Sequence, residues 1–347
     1  MNKYIKEGEL TMNRLGKIGV SALCGSLAGI SAANAGDLTA TGSAAVTWMS
    51  EGGTVTGNPI GMASAVSFTG TGELDNGWGV KLSIAGTDGG GYSNTYVNIT
   101  LPGMGDVRID QGVSGTGIQR LDDITPTVWE EADGAGISAG INKITGTSAG
   151  TTIEITPTEM MPAGLTTRFA FSKDSDSGQA NDKAKGGSSG PMGSGWDLTF
   201  SASSDLTGID GLLVYGGMSE VDQFQNDASV NGDKEETVLG IKYTAGSFSV
   251  GYQISEEETG KTGTTGYDNT AYGVTFSVND DLSIGYAHSE SDSAGGAADP
   301  EADSLQASYT MGGATFSIAE VDVENSTYST AAANDTSGTI IYLGLAF

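Results

Sequence analysis

Runs of strict apolar and polar alternation, repeated along most of the chain, constrain this sequence more than any other feature. Between 248 and 254, Phe248, Val250, Tyr252 and Ile254 fall on one side of an extended backbone, while Ser249, Gly251 and Gln253 fall on the other. The same period of two recurs at 237–243, 270–278, 282–286 and 305–311, and earlier at 80–84, 96–101 and 107–109. Successive side chains of a strand point to opposite faces, so each run reads as a strand with one apolar face. In a soluble sandwich that face packs on a second sheet, and both inner faces carry large apolar residues. Here the second face is Gly, Ser, Thr, Ala and scattered charge, and the strands read at about 10 residues rather than the usual 5 to 6. That is the apolar-out, polar-in pattern of a transmembrane barrel. A sandwich, a soluble solenoid and a disordered chain are the alternatives, and the last predicts no regular alternation.

The amino-terminal region follows a different pattern. After Met12 come Arg14 and Lys17, then a stretch of apolar and small residues from Ile18 to Ala33, then Ala33, Asn34 and Ala35. A basic start, an apolar middle and a small-residue cleavage site describe an export signal. The stretch is shorter and more broken than the roughly 20 apolar residues that a spanning helix needs. We expect translation to start at Met12, cleavage after Ala35, and one barrel domain over 36–347. The single cysteine, Cys24, lies inside the signal behind the bulky Leu23, which argues against a lipid-modified terminus.

Removing residues 1 to 35 takes away Lys3, Lys6, Arg14 and Lys17 with Glu7 and Glu9, leaving 11 basic and 41 acidic residues. A polyanion of this kind does not bind nucleic acid, which is held by lysine and arginine on its phosphates. It suits cations or a strongly solvated surface. The 55 glycines and only 7 prolines fit short turns between many strands.

Connections alternate in length. Short turns are expected at 74–77, 101–105, 244–247, 279–281 and 312–313, and long polar loops at about 173–195, 222–235, 256–267, 290–303 and 325–337. Short periplasmic turns and long outer loops are the asymmetry of outer-membrane barrels. The prolines fall in turns, loops or strand ends, where a missing donor is tolerated. Trp48, Trp78 and Trp196 fall near strand ends, as girdle aromatics do. Counting back from Phe347 gives 16 strands, with 18 as the competing count. On the last strand Ile341, Leu343, Leu345 and Phe347 face lipid, while Ile340, Tyr342, Gly344 and Ala346 face inward; Ile340 is the discordant member, and a place near the outer rim is the expected reason.

In its signal peptide, its hairpins, its terminal strand ending Leu345, Ala346, Phe347, and the irregular segment after the fifth expected strand, the chain resembles the Gram-negative general porins, particularly those of the alphaproteobacterial type. The likeness extends over the whole mature chain in pattern, not residue by residue. It implies an outer-membrane location among lipid and lipopolysaccharide, a homotrimer, and an assembly machinery that reads Phe347. It also implies a third outer loop folded into the barrel, with acidic groups facing basic ones on the wall.

The irregular segment, 112 to 134, does not alternate, and 118–121 has the pattern of a helical turn. It carries Arg120 and the acids Asp122, Asp123, Glu130, Glu131 and Asp133; the last three could instead open the next strand. By parity, Lys81, Arg108, Arg168 and Lys242 lie opposite the apolar residues of their own strands. Charge on that face is tolerated where water fills a lumen, and rings of charge at a constriction set ion preference. The plainer reading makes the acids a solvated loop.

Chemistry of other kinds finds little support. His288 is the only histidine, and Ser289 and Ser291 beside it make at most a weak Ser and His pairing without an orienting third group. Cys and His spacing for a metal is absent, and no cofactor is expected. Acidic loop stretches such as Asp174 and Asp176 could hold Ca²⁺, though without full EF-hand spacing. No glycine-rich stretch opens a helix that would cradle phosphate. The expected function is therefore passive diffusion of small hydrophilic solutes and ions through a weakly cation-preferring pore, without enzymatic activity. A solute-specific porin and a non-channel acidic surface barrel or adhesin are the alternatives.

Overall fold

The computed structural model describes residues 36–52, 57–88, 91–113, 115–176, 192–223, 229–263 and 266–347. The expected export signal, with Met12, Cys24 and Ala35, lies outside them. Sixteen strands follow one another: β1 (Leu38–Glu51), β2 (Ile60–Glu73), β3 (Gly79–Thr87), β4 (Tyr92–Leu101), β5 (Gly105–Asp110), β6 (Thr152–Thr156), β7 (Leu165–Ser172), β8 (Met192–Ala202), β9 (Leu212–Gln223), β10 (Lys234–Ala245), β11 (Phe248–Glu258), β12 (Gly266–Ser277), β13 (Leu282–Ser293), β14 (Glu301–Met311), β15 (Ala314–Glu324) and β16 (Thr336–Ala346). Each pairs antiparallel with its sequence neighbours, and β1 pairs with β16. The barrel is closed, so no strand edge is left unpaired.

Register follows the alternation. Across β11 and β12, Phe248 stands opposite Phe276, Val250 opposite Val274 and Tyr252 opposite Tyr272. These residues remain well exposed, Tyr252 at 48% and Phe276 at 43%, because they form the outer surface. An apolar band of this extent matches a hydrocarbon environment, where every backbone group must be satisfied within the sheet. Short turns join strands at one end, two of them turning on glycines that adopt positive φ, Gly246 at 58° and Gly312 at 62°.

At the other end the strands run further than the sequence predicts. β10 begins at Lys234, β11 continues to Glu258 and β13 to Ser293, all within stretches expected to be loops. Acidic composition suggests a loop, yet a strand above the apolar band can carry acids on its outer face and keep its ladder. The outer face there sets acid opposite acid: Glu256 and Asp268, Asp268 and Asp292, Glu290 and Glu301, Glu301 and Glu324. Like charges directly opposite are destabilising, by amounts that water and salt reduce.

The carboxyl end closes the ring. The Phe347 amide donates to the Gly42 carbonyl at 2.9 Å, the Gly42 amide donates back at 2.7 Å, and the Phe347 side chain lies 80% exposed on the outside. A side chain on Gly42 would meet that ring, since a Cβ there would stand 2.5 Å from Cε2. Gly42→Val is expected to destabilise the closing seam by about 1–3 kcal/mol, the usual range for overpacking. The check is the temperature at which the folded, compact band of the purified barrel disappears on a gel; an unchanged transition would refute the expectation.

Inside, Ile340 is only 2% exposed. It is not a rim residue. It belongs to a buried apolar cluster with Ala132, Ala135 and Ile137, contributed by the long segment between β5 and β6. The inner wall is apolar at Ile340 because protein, not water, covers it.

Candidate functional site

Between the end of β5 and the start of β6 lies the segment 111–151, which begins with a turn braced by Asp110. One Asp110 oxygen accepts from the Gly112 and Val113 amides at 2.9 and 3.2 Å, and the other pairs with Arg108 at 2.7 Å. A 3₁₀ turn over Gly117–Leu121 follows, where a helical turn is expected. From there the segment rests against inner-face residues of strand after strand.

Three wall carboxylates receive it. Glu154 of β6 accepts from the Gly117 amide at 2.8 Å and holds the Arg120 guanidinium through both oxygens, at 2.9 and 2.8 Å. Asp197 of β8, fully buried, accepts from the Ile118 amide at 3.3 Å, the Thr147 amide at 3.2 Å and the Thr147 hydroxyl at 2.9 Å. Glu236 of β10 accepts from the Thr145 and Gly146 amides at 2.9 and 2.6 Å and pairs with Lys234 at 2.8 Å. The outgoing and returning arms of the segment meet on Asp197, while Glu154 holds the outgoing arm and Glu236 the returning one. Charge-assisted bonds of this kind are the stronger hydrogen bonds of proteins.

Further round the wall, amides and glycines take over. Gln253 of β11 donates to the Asp122 carbonyl at 3.1 Å and accepts from the Tyr215 hydroxyl at 2.8 Å. Gln306 of β14 accepts from the Trp129 and Glu130 amides and returns a bond to the Glu130 carbonyl. Pro126 fits where β11 and β12 carry Gly251 and Gly273, which face each other across the ladder. A Cβ on Gly273 would stand 2.1 Å from the Pro126 carbonyl oxygen. Two apolar seats complete the contact, one of Ile118, Leu121 and Ile144 on Tyr215 and Val238, the other of Ala132 to Ala139 on Ala302, Val321 and Ile340.

The segment extends well beyond residue 134, to the start of β6 at Thr152, so Glu130, Glu131 and Asp133 belong to it and not to a strand. Ala135, Ile137 and Ala139 alternate as a strand would, with the exposed Gly136, Ser138 and Gly140 between them, but this stretch packs on the inner wall and not in the ladder.

The expected acids separate into different roles. Asp123 and Glu130 are exposed, whereas Asp122 is half-buried with its carboxyl pushed up to about 7 by burial, then by Asp123 and Glu131. Glu130, though exposed on one side, is also raised, by partial desolvation against the segment and then by Glu131 and Asp123. Glu131 pairs with Lys143 on the returning arm. Burial alone would lower the Lys143 ammonium, but Glu131, Asp133 and Asp122 together hold it above its ordinary value. Asp133 is buried and accepts from the Ser138 hydroxyl and the Ala139 amide, so it staples the segment to itself and does not line open space. Arg120 is committed to Glu154.

Of the wall basics, Arg108 lies 3.8 Å over the ring of Tyr96, with Lys81 at 5.7 Å from the same ring. Arg168, on β7, is within electrostatic reach of Arg120 and Glu154. These form one patch on β3 to β7. Lys242 stands apart on β10, in register with Leu213 and Gly251. In a ring of sixteen strands, β4 lies half a turn from β12. The acids lie elsewhere on the ring, Asp122 beside Gln253 of β11 and Glu130 over Gln306 of β14.

Sequence reasoning missed Glu154, Asp197, Glu236, Gln306 and Lys143. The first three were open to the parity argument applied to the basic residues, since Glu154 falls between the outward Ile153 and Ile155. His288 stacks on Tyr272, with Nδ1 2.8 Å from Asp303, while the Ser291 hydroxyl bonds to Tyr328. Ser289 and Ser291 lie on the other face of β13 from His288. Asp176 accepts from the Met192 amide, and among the described residues no three acidic or histidine side chains converge as a metal ion would need.

A closed ring of sixteen antiparallel strands with such a wall-seated segment is a transmembrane β-barrel of the porin fold. Solved structures similar to it include Salmonella typhi OmpF in complex with daunomycin, with a TM-score of 0.67 at 12% identity, covering 90% of this chain and 98% of that one. The anion-selective porin from Comamonas acidovorans gives 0.62 at 13% identity over 90% and 100% of the two chains. A mutant of the Rh. blastica porin gives 0.58 at 15% over the same shares. At these identities the likeness carries the fold alone. No protein-family model matches the chain, and no curated protein matches it in sequence.

Proposed function

We propose that this protein is a Gram-negative outer-membrane channel for passive diffusion of small hydrophilic solutes and ions, with a weak preference for cations. What supports this reading is the hydrogen bonding of the segment 111–151 to Glu154, Asp197, Glu236, Gln253 and Gln306, which leaves Asp123 and Glu130 exposed on it. Fixed charges of opposite sign across a water-filled constriction sort solutes by size and charge. Asp122, Asp123, Glu130 and Glu131 form the acidic side of that constriction, and Lys81, Arg108 and Arg168 the basic side. The names of the similar structures, several of them porins, support the same reading. It brings with it a homotrimer in a bilayer of lipid and lipopolysaccharide, and recognition of Phe347 by the assembly machinery.

The test is single-channel recording of the purified, folded barrel in planar bilayers, with reversal potential measured across a salt gradient. Stepwise conductance with a modest excess of cation current is the expected result. An anion preference would overturn the charge assignment while leaving a channel. Absence of conductance would leave the non-channel surface barrel, an adhesin for example.

A further inference from the structure

Between the segment and the inner wall of β16, β1 and β2 lies a cavity of about 420 Å³. Its composition departs from the polar inner face around it. Trp129 and Tyr342 line it as an aromatic pair, ring centroids 5.1 Å apart and planes tilted by 38°, while Ile340 and Met49 supply a hydrocarbon and thioether floor. Glu130 is the single charged residue of the lining among the described residues. Its carboxylate stands at the Gly134 side, where a Cβ on that glycine would meet Oε2 at 3.9 Å. Gln306 fixes the backbone on either side through the Trp129 and Glu130 amides, so ring and carboxylate are presented from a held main chain.

From this combination we infer that the cavity is a binding site, beside the constriction, for an organic ammonium ion with an aromatic or compact apolar body. The volume lies within the roughly 300–1,000 Å³ of small-molecule pockets. Aromatic faces and a lone carboxylate both favour a cation, and the attraction grows when the charge is partly desolvated. Thioether and hydrocarbon groups accept the apolar body. A carboxylate solute meets only Glu130 and no balancing cation.

This site rests on the channel reading, and phenethylammonium separates the two. Added to a conducting wild-type barrel in a planar bilayer, it is expected to interrupt the current saturably, while phenylacetate and benzyl alcohol at equal concentration do not. Glu130→Gln and Trp129→Leu, each referred to its own unblocked current, are expected to weaken the block about tenfold. A wild type that conducts but shows no saturable block, or a block unchanged in both variants, overturns the site and leaves the channel. Should the wild type not conduct, calorimetric titration of the detergent-folded barrel decides the site alone: saturable heat lost in Glu130→Gln supports it, and no heat refutes it.

Discussion

Replacing Asp197 by alanine is expected to free the segment 111–151 from the wall while leaving the barrel closed. The carboxylate accepts from the Ile118 amide and from both donors of Thr147, all in buried surroundings. Hydrogen bonds to a charged group contribute about 1.5–3 kcal/mol each, and the donors left behind also lose solvation. Both arms of the segment lose a bond together, since Ile118 and Thr147 share this acceptor. Single-channel conductance should rise, and trypsin should gain access to Arg120 and Lys143. Gly146→Ala offers an independent route to the same state, because its Cβ would stand 2.6 Å from Asp197 Oδ1 and its φ of 53° suits only glycine. If the segment stays resistant to trypsin and conductance is unchanged in both variants, Asp197 is not its anchor.

Lys143→Gln should change how ion selectivity responds to pH. Asp122 titrates near neutrality, raised to about 7 by burial first and by Asp123 and Glu131 next, with Lys143 opposing them. Its negative charge therefore grows as pH rises through about 7, and in the proposed channel the share of current carried by cations should grow with it. Removing Lys143 has two effects of known sign. Above the midpoint the lumen carries one more net negative charge, which should raise the cation-to-anion permeability ratio by up to about fivefold, the factor that corresponds to the ~1 kcal/mol of two charges about 4 Å apart in water. The midpoint itself should move upward, because a group that lowered the Asp122 pKa is gone. Reversal potentials at a series of pH values measure both, and Lys143→Arg should restore the wild-type curve. A midpoint that stays put or falls would contradict the assignment.

Much of the fold could be read in the sequence because strand parity is a local property. Phe248, Val250, Tyr252 and Ile254 declare their face without reference to any partner, and adding such runs gives sixteen strands, with eighteen competing because the runs before residue 165 are less regular. Strand ends were less legible. Glu256, Glu258 and Asp292 continue their strands above the apolar band, where an outward side chain meets water and alternation loses its apolar half. The candidate site was legible only in part. Asp122 and Asp123 stood out as acids in an irregular stretch, yet Ala135 to Ala139 has the period of a strand and conceals the returning arm. Tyr215 and Ile340 look misplaced on an inner face until the segment covers them, and that contact joins residues far apart in the sequence. Net charge misled in another way: many of the acids stand opposite one another on the outer surface, so the total of −28 says little about the lumen.

The apolar seat of Ala135 has a consequence for the order of assembly. It gathers Met49 from the first strand, Ile340 from the last and Ile137 from the segment between. Met49 and Ile340 meet only when the two ends of the chain lie side by side. Contacts between residues so distant in sequence carry the largest loop-closure entropy and form late. The whole seat is therefore completed only in the event that seals the seam: the segment is a clasp that fastens on both ends of the chain at once.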